Sequence, residues 1–231
     1  TALLFLAGQL LTMVSLRIGD VSVATPVLGL KIIMVALLTA ALLGEPVAAA
    51  LWIAAGLSSA GIGLLNFSRP AVDSRVGTTI LTASLAASSY ALFDVLVQKW
   101  APAWGAGRFL PVMMGCAALY TLLLPVPSTE SAALTKQAVR WRTCGAACLA
   151  VQALMLVSSI AIYRHAPVAN VLYSSRGLWS VLVVWLAGRW LGSSEGRHSR
   201  RVFAWRLAGA VLLTAAIVVV SLNFSSSVSG R

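Results

Sequence analysis

The stretch Pro167–Leu191, PVANVLYSSRGLWSVLVVWLAGRWL, reads as an apolar helix of membrane length with one arginine, Arg176, partway along it. About 20 apolar residues at about 1.5 Å rise each cross the hydrocarbon of a bilayer. An ionised side chain at that depth costs from about 2.5 kcal/mol upward, so it is expected to face protein, a wet cavity or a ligand. A second segment repeats the device. VSVATPVLGLKIIMVALLTAALL, after Asp20 and ending at Leu43, carries Lys31 about 15 Å from its first residue by helical rise.

The rest of the chain is of the same kind. Of 231 residues, 59% are hydrophobic and 10% charged, with mean hydropathy +0.91. Soluble domains carry about a quarter charged residues, so the fold class expected is all-α, a polytopic membrane bundle. The net charge of +11 sits in single residues and short clusters between apolar runs. That is a topology and lipid signal, and no nucleic acid partner is expected. Cys116, Cys144 and Cys148 are expected to be free, buried thiols. Cys144 and Cys148 stand one helical turn apart with no histidine or acid nearby in sequence to complete a metal site, and no cofactor is expected.

In order, an apolar run Ala2–Leu16 opens the chain without an initiator methionine, so an upstream piece is expected to be missing. The Lys31 helix follows and ends at Gly44-Glu45-Pro46, where Gly44 suits a C-cap. Segment three runs Val47–Leu65; its Gly56, Ala60 and Gly63 suit close approach of another helix. A polar loop, Asn66–Gly77, divides two apolar halves, with 68–77 as the linker proper. Segments four and five are Thr78–Gln98 and Phe109–Leu124, Pro111 falling in a first turn. STESAALTKQAVRWRT suits a short interfacial helix. Segment six is Gly145–Tyr163, the arginine helix is seven, and Trp205–Leu222 is eight. The tail 225–231 is expected to be disordered. Most tryptophans fall at segment ends, as in an aromatic belt.

The two cation-bearing helices also share a frame. In SLRIGDVSVATPVLGLKIIMVALLTAALLGE and AIYRHAPVANVLYSSRGLWSVLVVWLAGRWLG a basic residue closes one helix, a tight turn follows, and a long helix ends in Leu-Gly. A Gly-containing helix comes next in both, introduced by LWIAAG and by WRLAG. Matching Gly44 to Gly192 sets Arg176 one turn from the level of Lys31, on the same face. Internal repeats of this kind mark secondary transporters, whose substrate site lies where the repeats meet.

LLGEPVAAALWIAAGLSSAGIGLL and WLGSSEGRHSRRVFAWRLAGAVLLTAAIVV resemble the EamA repeat of the drug/metabolite transporter superfamily. The resemblance implies ten spans in a full-length member. It makes 1–67 helices three to five of a first repeat and 78–224 a complete second repeat, about eight spans in all. Gly192-Ser193-Ser194-Glu195 and a basic insertion replace the second Gly-Glu. The resemblance implies a multi-pass protein, expected in a bacterial inner (plasma) membrane, that carries a small metabolite by alternating access. A homodimer stays open.

Lys31 and Arg176 are the residues expected to hold an anionic group, carboxylate or phosphate, with Tyr173, Asn170 and Ser180 supplying neutral hydrogen bonds. The distantly related plastid phosphate translocators, with basic residues on the corresponding helices, resemble this arrangement. The alternative is that Lys31 snorkels and Arg176 pairs with Asp94. Asp94 is expected either to couple transport by taking a proton or sodium, or to be solvated or paired with Lys99 at its helix end. Pro26 should kink its helix and free a carbonyl.

The larger share of lysine and arginine lies on the side of Arg17, Arg69 and Arg197, which favours that side as cytoplasmic. The resemblance implies the opposite orientation. A phosphate-binding loop is absent, so no ATP use is expected; His165 and His198 fall in loops and of six acids only Asp94 is in a span, so no enzyme is expected, and an enzyme on lipid-linked substrates or a non-transporting bundle are the alternative functions.

Overall fold

The computed structural model describes residues 1–19, 21–65, 75–124, 136–179 and 200–229. These are helical almost throughout, with no strand among them. In chain order the helices are α1 (Ala2–Ile18), α2 (Val21–Gly29), α3 (Lys31–Leu38), α4 (Ala49–Leu65), α5 (Val76–Trp104), α6 (Ala106–Leu122), α7 (Lys136–Tyr163), α8 (Ala166–Ser174) and α9 (Arg200–Ser229). A wide helical turn, Thr39–Leu43, continues α3, and Gly44 ends it with φ 67, a left-handed cap that glycine takes without a Cβ clash.

By length and apolarity Val23–Leu43, Val76–Trp104 and Lys136–Tyr163 can each cross a membrane. Ala2–Ile18, Ala49–Leu65, Ala106–Leu122 and Leu207–Asn223 are shorter apolar helices. Large apolar side chains such as Leu81, Leu119, Met155 and Leu222 stand exposed on the outside, as lipid-facing positions do.

α5 is the central element, packed against α1, α2, α3, α6, α7 and α8. Its buried face is rich in alanine, with Ala83, Ala86, Ala87, Ala91 and Ala101 beside Phe93, Val95 and Val97. Small side chains let several helix axes approach it, and dispersion between close backbones drives helix association in lipid. Phe109 and Met113 of α6, Val157 and Ile160 of α7 and Val35 of α3 complete this core. A second cluster joins Ile32, Ala54, Ala55, Val171, Ala216 and Val220, tying α3, α4, α8 and α9 together.

The α4–α9 contact brings backbone against backbone. A Cβ placed on Gly209 would lie 2.7 Å from the Gly61 carbonyl oxygen and 2.8 Å from the Leu65 nitrogen. Gly61 thus permits the approach expected of Gly56, Ala60 and Gly63; Gly56 and Gly63 face open space and Ala60 is exposed. The glycine that matters is set by which face of α4 meets α9, and spacing alone did not reveal that face.

Several expected boundaries move. The Asp20–Leu43 segment is divided at Leu30, four residues past Pro26. The expected short interfacial helix is absorbed from Lys136 onward into α7, because that polar turn joins an apolar helix without a Gly or Pro break until Gly145. α6 begins at Ala106, so Pro111 lies in its second turn, opposite the carbonyl of Gly107. α9 continues to Ser229, so the tail expected to be disordered is helical over 225–229; extending a formed helix costs far less than nucleating one. Cys144 and Cys148 lie on an exposed face of α7, and Cys116 is half-buried, so the expectation of buried thiols fails for two of the three. Most of the linker 68–77, Ser180 and the second half of the Arg176 segment, 180–199, lie outside the described residues.

Candidate functional site

The polar residues of α5 recur at i, i+4, i+8: Tyr90, Asp94 and Gln98. That spacing lines them up on one helical face, and the face is turned inward. Asp94 is 1% exposed and Gln98 3%.

Asp94 Oδ2 accepts from two sides. Lys31 Nζ lies 2.7 Å away, its side chain 16% exposed, and Asn170 Nδ2 donates at 2.7 Å. Asn170 also donates to the Ala166 carbonyl at 2.9 Å. Asp94 Oδ1 is buried and has no hydrogen-bond partner. The network therefore joins α3, α5 and α8 through a single carboxylate oxygen. Lys31 Nζ also lies 5.5 Å from the centre of the Tyr90 ring, within cation–π range.

One turn further along α5, Gln98 bridges two more elements. Its Oε1 accepts from the Ala166 N–H at 2.7 Å, satisfying a free donor in the first turn of α8. Its Nε2 donates to Glu45 Oε2 at 2.8 Å.

Arg176 is exposed and stands apart from the pair. Its Nη1 donates to Tyr173 Oη at 2.8 Å, and its Cζ lies 4.5 Å from that ring's centre. Tyr173 lines a mainly apolar cleft of about 630 Å³ between α7 and α8, with Gln152, Met155, Ser159 and Leu172.

Each cation follows a break in its helix. Leu30 N–H donates to the Val27 carbonyl at 3.1 Å, and Ser175 N–H to the Leu172 carbonyl at 3.1 Å. Both are i→i−3 bonds, tighter than the α-helical pattern. Lys31 and Arg176 come immediately after these tightened turns. Pro26 lies inside α2 and acts on the carbonyl four residues back, whereas the first break, at Leu30, falls on its C-terminal side. The second has no proline.

Adjacent serines of α4 stand at both breaks. Ser59 Oγ donates to the Gly29 carbonyl at 3.0 Å. Ser174 Oγ lies 3.4 Å from Ser58 Oγ and donates to the Val171 carbonyl at 2.6 Å.

Against the sequence reading, Lys31 and Arg176 have different partners: Lys31 the Asp94 carboxylate and the Tyr90 ring, Arg176 the Tyr173 side chain. Lys31 neither snorkels nor stands unpaired, and Asp94 is matched with Lys31 instead of Arg176 or Lys99. Burial explains the choice: at 1% exposure Asp94 has little water to solvate it, and Lys31 is the cation whose helix packs against α5 there. Tyr173 serves Arg176 as expected, Asn170 faces Asp94 instead, and Ser180 lies outside the described residues. Tyr90, Gln98, Ser58 and Ser59 were missed. The i, i+4 series on α5 was a readable signal for the first two; the serines gave none beyond their adjacency.

No protein-family model matches the chain, and no curated protein matches it. A solved structure described as "Crystal structure of protein" is similar, with a TM-score of 0.65, 20% identity, and coverage of 94% of this chain and 72% of that one. At that identity the likeness shows a shared fold: this arrangement of helices is one that a solved protein adopts.

Proposed function

We propose that the chain is a secondary transporter of a small metabolite bearing an anionic group, an EamA-type member of the drug/metabolite transporter superfamily in a bacterial inner membrane. It has about eight spans, with 1–67 and 78–224 as a partial and a complete repeat that rock against each other. The observation that carries this reading is the buried Lys31–Asp94–Asn170 network, which links α3 of the first half to α5 and α8 of the second. Ionisable groups inside apolar bundles are costly and most often mark a solute or ion pathway. Two interrupted helices, each broken just before a cation, fit the same reading. Transporters place discontinuous helices at their midplane sites in corresponding positions of their halves. Arg176, exposed beside the Tyr173 cleft with its guanidinium on the Tyr173 side chain, is the cation that a carboxylate or phosphate would meet first.

The test is a thermal-shift screen of organic anions, amino acids and drugs on the purified full chain, then flux of each stabilising solute in liposomes. A ligand that binds the folded form raises its melting temperature. Stabilisation and flux by an anion support the reading; a screen with no stabilising solute and no flux contradicts it.

A further inference from the structure

We infer that the cleft between α7 and α8 takes an amphipathic monocarboxylate, with its apolar body among Val151, Met155 and Leu172 and its carboxylate on Arg176. This deepens the transport reading above and rests on it for calling the ligand a solute.

Charge sets the head group. Arg176 Nη1 donates to Tyr173 Oη at 2.8 Å and its guanidinium lies over that ring, so the cation stands at the wall of the cleft that Tyr173 lines. Tyrosine is a neutral partner and leaves the charge uncancelled. Among the described residues no carboxylate pairs with Arg176. A planar guanidinium offers parallel N–H groups that match a carboxylate. By helical rise Arg176 lies about 15 Å beyond the start of α8, near the middle of a hydrocarbon layer of about 30 Å. An unpaired cation at that depth is costly, and a ligand's carboxylate relieves it.

The lining sets the rest. A cleft of about 630 Å³ with mainly apolar walls and a few neutral polar groups, here Gln152 and Ser159, is of the size and kind that takes small organic ligands. Ser159 Oγ donates to the Met155 carbonyl at 2.8 Å, which leaves the hydroxyl oxygen to accept. Among the described residues neither an acid nor a second cation lines the cleft. The ammonium of an amino acid therefore finds no partner there. A phosphate monoester, with about 1.5 to 2 negative charges at neutral pH, exceeds the single charge that Arg176 supplies.

Depth separates a solute from a phospholipid. On α7 the lining runs from Ala147 to Ser159, the central part of the apolar stretch Gly145–Tyr163. A phospholipid keeps its phosphate at the interface, about 15 Å from the centre, and lends such a cleft an acyl chain but no charge. A small carboxylate with its own aryl or alkyl body brings both to one depth. Val151, Met155 and Leu172 are exposed on the outside of the bundle, so the apolar body is admitted from the side.

Cysteine alkylation tests this directly. The Cys148 thiol lines the cleft, whereas Cys144, exposed one turn earlier, does not. The full chain in nanodiscs of zwitterionic lipid is treated with N-ethylmaleimide, Cys116→Ala/Cys144→Ala reporting Cys148 and Cys116→Ala/Cys148→Ala reporting Cys144. The probes are phenylbutyrate, butyrate and phenylbutylamine. At about ten times its Kd, phenylbutyrate is expected to slow alkylation of Cys148 about tenfold and to leave Cys144 unchanged. Butyrate at the same concentration and the amine should slow neither. Arg176→Gln in the Cys148 reporter should abolish the protection, and Arg176→Lys restore part of it. No protection by phenylbutyrate, or equal protection by the amine, overturns the proposal. Protection of Cys148 by phosphatidylglycerol in the nanodisc without any probe also overturns it, because the occupant is then a phospholipid. Flux of a small polar anion in liposomes without protection by phenylbutyrate removes this proposal and leaves transport standing. Protection without flux keeps the cleft as a carboxylate site and removes the transport reading.

Discussion

Lys31 and Asp94, from two helices that pack side by side, share an ion pair of 2.7 Å inside a mainly apolar bundle, with the acid 1% exposed. In such a place a pair is far more sensitive to losing one partner than to losing both, because a lone charge keeps its full desolvation penalty. Asp94→Leu and Lys31→Met are each expected to destabilise the fold by about 3–5 kcal/mol, and the double variant by much less than their sum. A double-mutant cycle on unfolding in mild detergent checks this; additivity within about 0.5 kcal/mol would mean the two do not interact.

Gln98 holds the start of α8 by accepting from the Ala166 N–H at 2.7 Å. Gln98→Leu leaves that donor and Glu45 without their partner, at an expected cost of about 1–3 kcal/mol. Gln98→Glu keeps an acceptor for Ala166 but sets two carboxylates against each other. Melting temperatures of both variants should fall below the wild type, with the glutamate variant recovering as pH is lowered and one carboxylate takes up a proton.

The approach of α4 to α9 leaves no room for a side chain at Gly209. Gly209→Val is expected to lower folded yield sharply, while Gly56→Ala and Gly63→Ala, which meet nothing within 4 Å, should be near neutral. Size-exclusion profiles of the three variants distinguish them. Equal profiles for Gly209→Val and Gly56→Ala would rule out the backbone contact.

How much of this was legible in the sequence follows from how far each signal reaches. Helices and apolar spans could be read because composition and run length are local properties, and Lys31 and Arg176 announced themselves as cations in such runs. Their partners did not. Asn170 and Asp94 are 76 positions apart, and Gln98 and Ala166 are 68 apart. No local pattern states which acid a lysine will meet. The breaks show the same limit: Pro26 announces an irregular helix without placing the break at Leu30, and no proline within the turn marks the one at Ser175. The fusion of the basic amphipathic turn with α7 was hidden because interfacial and spanning helices look alike where they join.

Ser58 and Ser59 touch the two broken segments from one helix. Ser59→Ala removes a donor from the Gly29 carbonyl and is expected to cost about 0.5–1.5 kcal/mol in stability. If α4 steadies both breaks, the Ser58→Ala/Ser59→Ala variant should change transport rate more than solute affinity, because the breaks move while the cations stay in place. A change in affinity alone would assign the serines to the solute.

The most direct measurement is anion exchange by the full chain in liposomes, compared among wild type, Lys31→Met and Arg176→Gln at matched folded protein. If the two cations serve one solute passage, the wild type exchanges an organic anion and each variant loses most of that flux. Undiminished exchange by both variants would contradict the account and leave Lys31 and Arg176 as structural charges in a helical bundle.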